Sequence, residues 1–265
     1  MILTTKQQEG LEIACSRYSS GEKYTVIAGF AGTGKSTLVQ HIIQSLNIQS
    51  SEVVYTAYTG KATLVLSQKG CENTSTLHKL LYFAVRDKNT GKYSFKPRPT
   101  IPSEYKIVVI DEVSMLPKTM WDLLLKHHVH ILALGDPGQL GPIKATEGTN
   151  LLDSPHIFLD EIVRQAQDNE IIKLSMDVRD GKSLEEQTGE DVMVVPSKDL
   201  SIGMLFWADQ VLCATNATRH SLNKQMREVK GMPADPQIGD KIICLKNDWD
   251  TLSKENETPL INGTI

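Results

Sequence analysis

The segment Gly29–Thr37 constrains the fold of this chain more than any other stretch. It reads Gly-Phe-Ala-Gly-Thr-Gly-Lys-Ser-Thr, and it stands between an apolar run at 25–28 and a segment from Leu38 whose apolar residues recur at helical spacing. A strand, a glycine-rich loop and a helix in this order predict a phosphate-binding loop. Glycines let successive backbone N–H groups approach phosphate oxygens, and the helix adds the positive end of its dipole.

Each part of this loop has an expected role at a nucleoside triphosphate. Lys35 is expected to meet the β- and γ-phosphates, and Ser36 to offer its hydroxyl to Mg²⁺. The residues predicted to contact the nucleotide are Gly29, Ala31, Gly32, Thr33, Gly34, Lys35, Ser36 and Thr37. A glycine-rich turn with a surface lysine is the simpler alternative, but that pattern is rare between a good strand and a good helix.

Two acids follow a second apolar strand. The run Ile107–Ile110 ends in Asp111 and Glu112, which places both carboxylates at the tip of a buried, parallel-type strand. Asp111 is suited to hold Mg²⁺, and Glu112 to polarise an attacking water. The alternative is two solvated acids at a strand end. Combined with the phosphate-binding loop, the pair favours hydrolysis of the nucleotide.

A third apolar strand ends in the tight segment Gly135–Gln139. The amide of Gln139 carries both a donor and an acceptor, so it could sense the γ-phosphate or its water, or it could be an incidental residue of a Gly/Pro turn. His127, His128 and His130 lie just upstream without a fourth ligand in view, so we predict no metal site there.

A further strand is predicted at 52–57 and a further helix from there through Lys69, so that the chain begins in the order βαβα. This order favours an α/β fold with a mostly parallel, doubly wound sheet. A helix at 4–18 precedes the first strand, and 265 residues are enough for two domains. Further on, strands at 210–214 and 240–245 around a helix at 216–229 predict a second α/β unit.

Residues 74–103 depart from this alternation. A short capped helix is predicted at 74–81, and residues 82–103 read as a small β-hairpin insertion around turn residues at 87–91. Lysines alternate there with aromatic residues: Phe83, Lys88, Lys92, Tyr93, Phe95 and Lys96. These side chains could bind phosphates and stack bases. Equally, the aromatic rings could be the hairpin's own packing and the lysines edge protection, and both interpretations stay open.

Net charge, cysteine spacing and the lack of long apolar runs limit the partners and the cellular location expected for the chain. The net charge of −4 gives no global attraction to nucleic acid or to an anionic membrane, so any polyanion site must be local. The four cysteines lie far apart, without the spacing of a zinc site or a disulfide framework, which favours reduced thiols. The sequence has neither a secretory signal layout nor a membrane-spanning apolar run. We therefore expect a cytoplasmic chain with no membrane partner.

Taken in order, these segments resemble the superfamily 1 (1B) DNA helicases of the RecD and Dda type. The loop is similar to the family's first motif, Asp111–Met115 (Asp-Glu-Val-Ser-Met) to the second, and Gly135–Leu140 to the third. Gln7, which taken alone could simply be a solvent-facing glutamine, resembles the glutamine with which the family reads adenine. Arg164 falls where the family has an arginine that reaches the γ-phosphate. The resemblance implies catalytic roles for Lys35, Asp111, Glu112, Gln139 and Arg164.

The resemblance also implies DNA contacts. Ala57–Ala62 and Thr76–His78 are similar to the two segments that grip single-stranded DNA, although Tyr58 stands where relatives usually have proline. The DNA-binding residues implied are Thr59, Lys61, Thr76 and His78, with Phe83, Tyr93 and Phe95 of the hairpin at the fork. The implied activity is ATP-dependent, 5′-to-3′ unwinding. Its cofactors are ATP and Mg²⁺, and its partners are single-stranded and fork DNA and replication or recombination proteins.

For the whole chain, the resemblance predicts two RecA-like domains. Residues 1–160 form the first, with the hairpin inserted at about 82–103, and residues 161–265 a partial second that lacks the family's fifth and sixth motifs. We accordingly expect a C-terminally truncated form. Two alternatives remain: the motor subunit of a recombination nuclease complex, or a nucleotide-dependent DNA- or protein-binding module without effective hydrolysis.

Overall fold

The structure is a computed structural model that describes residues 3–86, 93–141, 148–149, 151–161, 169–244, 248–252 and 259–260. It divides into two compact units, one comprising residues 1–168 and 244–264 and the other residues 169–243. The division expected from the sequence, into residues 1–160 and 161–265, stays a prediction. The RecA-like character of the second unit stays a prediction.

The first unit is built on a parallel sheet. Its strands are β1 (Tyr24–Gly29), β2 (Val53–Ala57), β3 (Thr74–Thr76), β6 (Ile107–Asp111), β7 (His130–Gly135) and β8 (Ile157–Leu159), and β4 (Tyr82–Arg86) and β5 (Tyr93–Pro97) form a separate hairpin. Its helices are α1 (Thr5–Ser19), α2 (Lys35–Ser45), α3 (Gly60–Gln68), α4 (Leu77–Leu81) and α5 (Lys118–Leu124). The strand order is β3-β2-β6-β7-β1-β8, with every neighbouring pair parallel.

Helices cover both faces of this sheet. One buried apolar cluster contains Leu80 of α4 and Trp121 of α5, and a second contains Ala14 of α1 and Leu38 of α2. Every residue of β7 is buried, as expected of a strand covered on both faces, which explains why its sequence is a nearly continuous apolar run. The predicted α/β class with a parallel, doubly wound sheet is confirmed.

The helix predicted at 74–81 is only partly correct. Its first three residues form the edge strand β3, which pairs in parallel with Tyr55–Ala57 of β2. Helix α4 begins only after Thr76, whose hydroxyl oxygen accepts a hydrogen bond from the Lys79 backbone N–H at 3.2 Å. A threonine-rich segment suits both an edge strand and a helix cap, and the open edge of β2 decides which one forms.

The predicted hairpin is confirmed in its two strands. Phe83 pairs with Lys96 and Ala84 with Phe95 in an antiparallel register. The backbone N–H of Arg98 donates to the Leu81 carbonyl oxygen at 2.7 Å, which ties the end of the hairpin to the end of α4. The turn, with Lys88 and Lys92, lies outside the described residues.

Helices are the longest regular elements among the described residues of the second unit. It contains α6 (Glu170–Arg179), α7 (Ile202–Trp207) and α8 (Asn216–Val229), with short strands β9 (Gln187–Thr188) and β10 (Met193–Val194). The helix predicted at 216–229 is confirmed. The strands predicted at 210–214 and 240–245 are wrong for the residues described, because no strand in the described chain lies alongside them to pair with. Their apolar side chains, such as Leu212 and Ile242, are exposed instead.

After the second unit, β11 (Asp248–Leu252) and β12 (Pro259–Leu260) form an antiparallel pair. In the part of the chain that the structure describes, no helix has the length and apolar character needed to cross a bilayer.

Candidate functional site

The sequence motifs converge because their strands end at the same edge of the sheet. Ala28 lies opposite Gly135, and Ala57 lies opposite Asp111 in the parallel register. Strand β7 separates β1 from β6, so their ends are about 10 Å apart at ordinary strand spacing. The loop after β1, the acids after β6 and the turn after β7 therefore share one edge, as ligand-binding groups do in open α/β sheets.

The loop after β1 is a close-fitting backbone structure. Gly32 and Gly34 have φ angles of 77° and 79°, a left-handed conformation that residues with a Cβ rarely adopt, and Gly34 caps helix α2. At Gly29, an added Cβ would lie 2.7 Å from the Leu159 carbonyl oxygen and 2.8 Å from Thr33 Oγ1. The backbone conformation at Gly32 and Gly34 and the lack of space at Gly29 therefore explain why these three positions are glycine.

Two side chains hold the loop from within. The Lys35 ammonium donates to the carbonyl oxygens of Gly29 at 2.8 Å and Phe30 at 3.0 Å, so its charge lies over the start of the loop. The hydroxyl of buried Thr33 donates to the same Phe30 oxygen at 2.8 Å. The remaining predicted contact residues differ in accessibility: Ala31, Gly32 and Ser36 are exposed, and Gly34 and Thr37 are half-buried.

Asp111 is the last residue of β6 and Glu112 follows it directly, and both are half-buried. Asp111 Oδ1 accepts a hydrogen bond from the Glu112 backbone N–H at 3.1 Å. Glu112 has φ 57° and ψ 49°, a left-handed conformation that costs a residue with a Cβ on the order of 1 kcal/mol or more. Strain of this kind persists where the surrounding structure enforces it, commonly at functional positions.

These residues fit a magnesium nucleotide. Backbone N–H groups and the Lys35 ammonium suit phosphate oxygens, while the Ser36 hydroxyl and the Asp111 carboxylate are oxygen ligands of the kind that Mg²⁺ prefers.

The turn after β7 is ordered by a residue whose role sequence reasoning missed. Asp136 is buried, and its Oδ1 accepts from the Gly138 N–H at 2.8 Å, while its carbonyl oxygen accepts from the Gln139 N–H at 3.1 Å. Gln139 itself is exposed at the tip of this turn. An Asp-Pro-Gly sequence is a recognisable turn signal, so the role of Asp136 could have been anticipated.

Gln7 lies against the loop and is almost completely buried. Its Nε2 donates to the Thr33 carbonyl oxygen at 3.0 Å, and its Oε1 accepts from the Thr4 backbone N–H at 3.0 Å. Adenine reading by Gln7 stays a prediction. The spacing Thr4-x-x-Gln7 is that of a helix capping box, which was the available signal for an inward-facing side chain. Its neighbour Lys6 forms an ion pair with Asp160, also unforeseen.

Two of the proposed DNA contacts already have structural roles. Thr59 Oγ1 caps α3 by accepting from the Ala62 N–H at 3.3 Å, and Thr76 caps α4 in the same way. Lys61 is exposed on the first turn of α3. A cap does not prevent a DNA contact, so these assignments stay predictions.

His78 is the middle ring of three. It lies 5.5 Å from the Tyr58 ring and 5.9 Å from the Tyr82 ring, measured between centroids. Burial lowers the pKa of His78, which keeps the imidazole neutral near pH 7. Tyr58, the residue that departs from the family pattern, thus packs against a residue of the other predicted DNA-binding segment.

The hairpin phenylalanines lie on opposite faces. Phe95 pairs with Ala84, which is the residue next to Phe83 in β4, and successive residues of a strand point to opposite faces. Phe95 is 67% exposed and Phe83 37% exposed. Internal packing of the hairpin therefore does not account for Phe95. Tyr93 pairs with Arg86 through its backbone, and its side chain lies outside the described part.

Two further predictions concern single residues. Arg164 lies outside the described residues. His130 is buried, with Nδ1 2.8 Å from the Glu22 carbonyl oxygen and Nε2 3.2 Å from Thr25 Oγ1. Both ring nitrogens of His130 are therefore engaged within the protein, which gives this histidine a structural role.

A parallel sheet with a glycine-rich loop after β1 and paired acids after β6 defines the class of P-loop α/β proteins. The family described as "AAA domain" matches residues 3–192, and the chain belongs to that family.

Curated relatives confirm the resemblance drawn from the motifs. The chain is 31% identical over 171 residues to the ATP-dependent RecD2 DNA helicase of Deinococcus radiodurans, covering 62% of this chain and 23% of that protein. It is 27% identical over 190 residues to the ATP-dependent DNA helicase dda of Enterobacteria phage T4, covering 68% of this chain and 43% of that protein. The chain thus spans less than half the length of either relative.

Among solved structures, Bacteroides Pif1 bound to single-stranded DNA aligns with a TM-score of 0.48 at 17% identity. The alignment covers 97% of this chain and 61% of that one.

Proposed function

We propose that this chain is the ATP-binding and ATP-hydrolysing part of a cytoplasmic DNA helicase. The observation that carries the proposal is the convergence, at one edge of the sheet, of the loop with Lys35 and the acids Asp111 and Glu112. The names of the relatives, which are ATP-dependent DNA helicases, support DNA unwinding as the work that hydrolysis drives.

In this proposal each residue at the edge has one task. Lys35 and the loop N–H groups bind the β- and γ-phosphates, while Ser36 and Asp111 hold Mg²⁺. When bound there, Mg²⁺ would neutralise the charge that develops on the β- and γ-phosphate oxygens as ADP leaves. Glu112 orients the attacking water, and Gln139 reads the γ-phosphate from the turn after β7. Arg164 is assigned the second contact with the γ-phosphate.

The proposed DNA path begins beside the nucleotide site. Tyr58 follows Ala57, which is the register partner of Asp111, so the segment with Thr59 and Lys61 starts at the same edge as the acids. The chain continues through Thr76 and His78 to the hairpin, where exposed Phe95 is available to stack on a base at the fork. The motif resemblance favours 5′-to-3′ movement.

Hydrolysis is tested with two variants of the full-length protein, measuring ATP turnover with and without single-stranded DNA. We expect Lys35→Ala to lose nucleotide binding. We expect Glu112→Gln to keep nucleotide binding, because the phosphate contacts and the metal ligands remain. Its ATP turnover should fall at least about 100-fold, because the group that orients the water is lost. If wild type and Glu112→Gln hydrolyse ATP at equal, negligible rates, the protein is a nucleotide-dependent binding module instead.

Unwinding is tested on duplexes with either a 5′ or a 3′ single-stranded tail. We expect ATP-dependent unwinding of the 5′-tailed duplex. Unwinding from 3′ tails alone would refute the polarity, and ATP turnover that ignores single-stranded DNA would refute the motor role.

A further inference from the structure

We propose that a cleft at the base of the β4–β5 hairpin binds a backbone phosphate of the DNA strand that is displaced at the fork. The side chains that carry this inference are Lys79 of α4, Arg98 after β5 and Thr74 of β3, which line the cleft together. The inference rests on the proposed function, because it assumes that the chain unwinds DNA. It adds a contact with the strand along which the protein does not move.

The cleft lies apart from the groups assigned to the nucleotide. It has a volume of about 370 Å³ and opens beside the edge strand β3. Along β3, Thr74 comes two residues before Thr76. Thr76 pairs with Ala57, whose partner on the other side is Asp111. Thr74 is therefore about 7 Å farther than Thr76 from the edge of the sheet that carries the acids.

Arg98 is held at the base of the hairpin. Its backbone N–H donates to the Leu81 carbonyl oxygen at 2.7 Å, and its Nε donates at 3.2 Å to the carbonyl oxygen of Tyr82, the first residue of β4. The two terminal nitrogens of Arg98 form no hydrogen bond or ion pair with any residue that the structure describes. A guanidinium group anchored through Nε can direct these nitrogens at an anion.

Lys79 brings a second positive charge from α4. Successive residues of a helix point about 100° apart, so Lys79 and His78 project from different sides of α4. His78 packs between the rings of Tyr58 and Tyr82. Lys79 is exposed and lines the cleft. It can thus contact a phosphate that does not belong to the strand at His78.

The charges of the cleft favour an anion. The one acidic side chain among the described residues that line it, Glu72, already accepts a hydrogen bond from Ser50 Oγ at 2.6 Å. Two cations therefore face one carboxylate, and the Thr74 hydroxyl adds a neutral donor. A phosphate diester carries the single negative charge that balances this set, and phosphates are common partners of lysine and arginine in DNA complexes.

The position of the cleft selects the displaced strand. The strand along which the protein moves, here called the tracking strand, is assigned to the segment with Thr76 and His78. The hairpin is the element at which the two strands are proposed to part. A phosphate site at its base, on another side of α4 from His78, therefore suits the strand that leaves the duplex.

The test compares three fluorescent DNA ligands of the full-length protein: a single strand, a duplex with a 5′ tail, and the same duplex with both tails. Anisotropy gives the dissociation constants over a range of salt concentrations. We expect Lys79→Ala to weaken binding of the two-tailed fork roughly fivefold at about 0.1 M salt, because one phosphate contact with a single strand contributes a slope of about 0.7 in log Kd against log salt. The other two ligands should bind as they do to wild type.

Three further variants complete the test. Arg98→Gln should act as Lys79→Ala does, and Lys79→Glu should weaken binding of the fork further, because it adds a negative charge. Lys126→Ala is the matched control, since Lys126 is an exposed lysine before β7 that does not line the cleft. It should bind all three ligands as wild type does. Because Lys79 is exposed, its variants should keep the wild-type melting temperature.

The outcomes are distinct. Equal weakening of all three ligands by Lys79→Ala would assign the lysine to the tracking strand, and equal weakening of both duplexes alone would place a phosphate of the duplex in the cleft. Either result would overturn the proposal, and so would unchanged binding of every ligand. Failure of the proposed function would look different, because wild type would then bind none of the three ligands or would hydrolyse no ATP in their presence.

Discussion

Gly29 stands where β1 becomes the loop, and a single methyl group there would meet atoms on two sides. The nearest, the Leu159 carbonyl oxygen at 2.7 Å, belongs to the backbone of a paired strand and cannot move aside. We expect Gly29→Ala to lower the free energy of unfolding by about 1–3 kcal/mol, as overpacking does, and to weaken ATP binding. Urea unfolding and calorimetric titration measure the two effects.

Gly203 provides the matched control. It lies in α7, and the nearest atom to an added Cβ is Ser201 Oγ at 3.6 Å, an ordinary contact. Gly203→Ala should therefore keep or slightly raise stability. Wild-type stability in both variants would show that the β1 end is not tightly enclosed.

The environment of His156 predicts that the folded protein loses stability in mild acid. Its Nδ1 accepts a hydrogen bond from the Val26 backbone N–H at 2.9 Å, which a protonated nitrogen cannot do. Burial, with a smaller contribution from the charge of Arg17, lowers the pKa of His156, and burial likewise lowers the pKa of His130. Below about pH 6.5 the unfolded chain binds more protons than the folded one, so the free energy of unfolding should fall as pH decreases.

Urea unfolding at pH 7.5 and pH 5.5 measures this loss, and His156→Asn isolates one contribution. The asparagine oxygen can accept from Val26 but does not titrate, so the variant should lose less stability between the two pH values than wild type does. An identical loss in both proteins would mean that His156 is not responsible.

At the scale of single residues, local motifs predicted the loop and the acids because the residues of each motif are consecutive in the sequence. The inward turn of Gln7 was not predicted: the capping-box spacing of Thr4 and Gln7 is a local signal for it, but the contact with Thr33 spans 26 positions in sequence. The role of Asp136 was missed although its Asp-Pro-Gly sequence signals a turn, since that signal does not show that the carboxylate is buried and accepts from the Gly138 N–H.

Helix α4 offers a test at the scale of an element, because Thr76 has two candidate roles. Thr76→Ala should cost about 1 kcal/mol of stability through loss of the cap. Thr76→Asp keeps a capping oxygen but brings a negative charge to the proposed DNA path. We therefore expect wild-type stability in Thr76→Asp together with weaker binding of a fluorescent single-stranded oligonucleotide, measured by anisotropy.

The comparison of the two variants decides the question. If Thr76→Asp binds DNA as wild type does, Thr76 does not face the DNA. If DNA affinity falls only in the variant whose stability falls, the threonine acts only as a helix cap.

Predictability of the elements depended on their neighbours. Strands β1, β6 and β7 were predicted from continuous apolar runs, which is the pattern of central parallel strands. The apolar segments at 210–214 and 240–245 look similar in sequence, yet their described residues form no strand. Periodicity shows that a segment can be buried, whereas a strand also needs a partner strand to satisfy its backbone groups.

The two units of the molecule differ in how much apolar surface they bury. Among the described residues of 169–243, Leu205 is the single apolar side chain that is buried, while the first unit encloses two apolar clusters. Local opening should therefore cost much less free energy in the second unit. We expect the amides of α8 to exchange with deuterium far sooner than those of β7, measured by mass spectrometry. Comparable protection of α8 and β7 would contradict this.

The register of the β4–β5 hairpin has a consequence for how a fork would be handled. With Phe83 on one face and Phe95 on the other, the ribbon is two-sided, and one ring cannot substitute for its counterpart. Two nucleic-acid strands that separate on either side of this hairpin would each contact a different phenylalanine. Replacing either ring would then impair the handling of one strand and leave the other unaffected, so the two defects would be separable by strand.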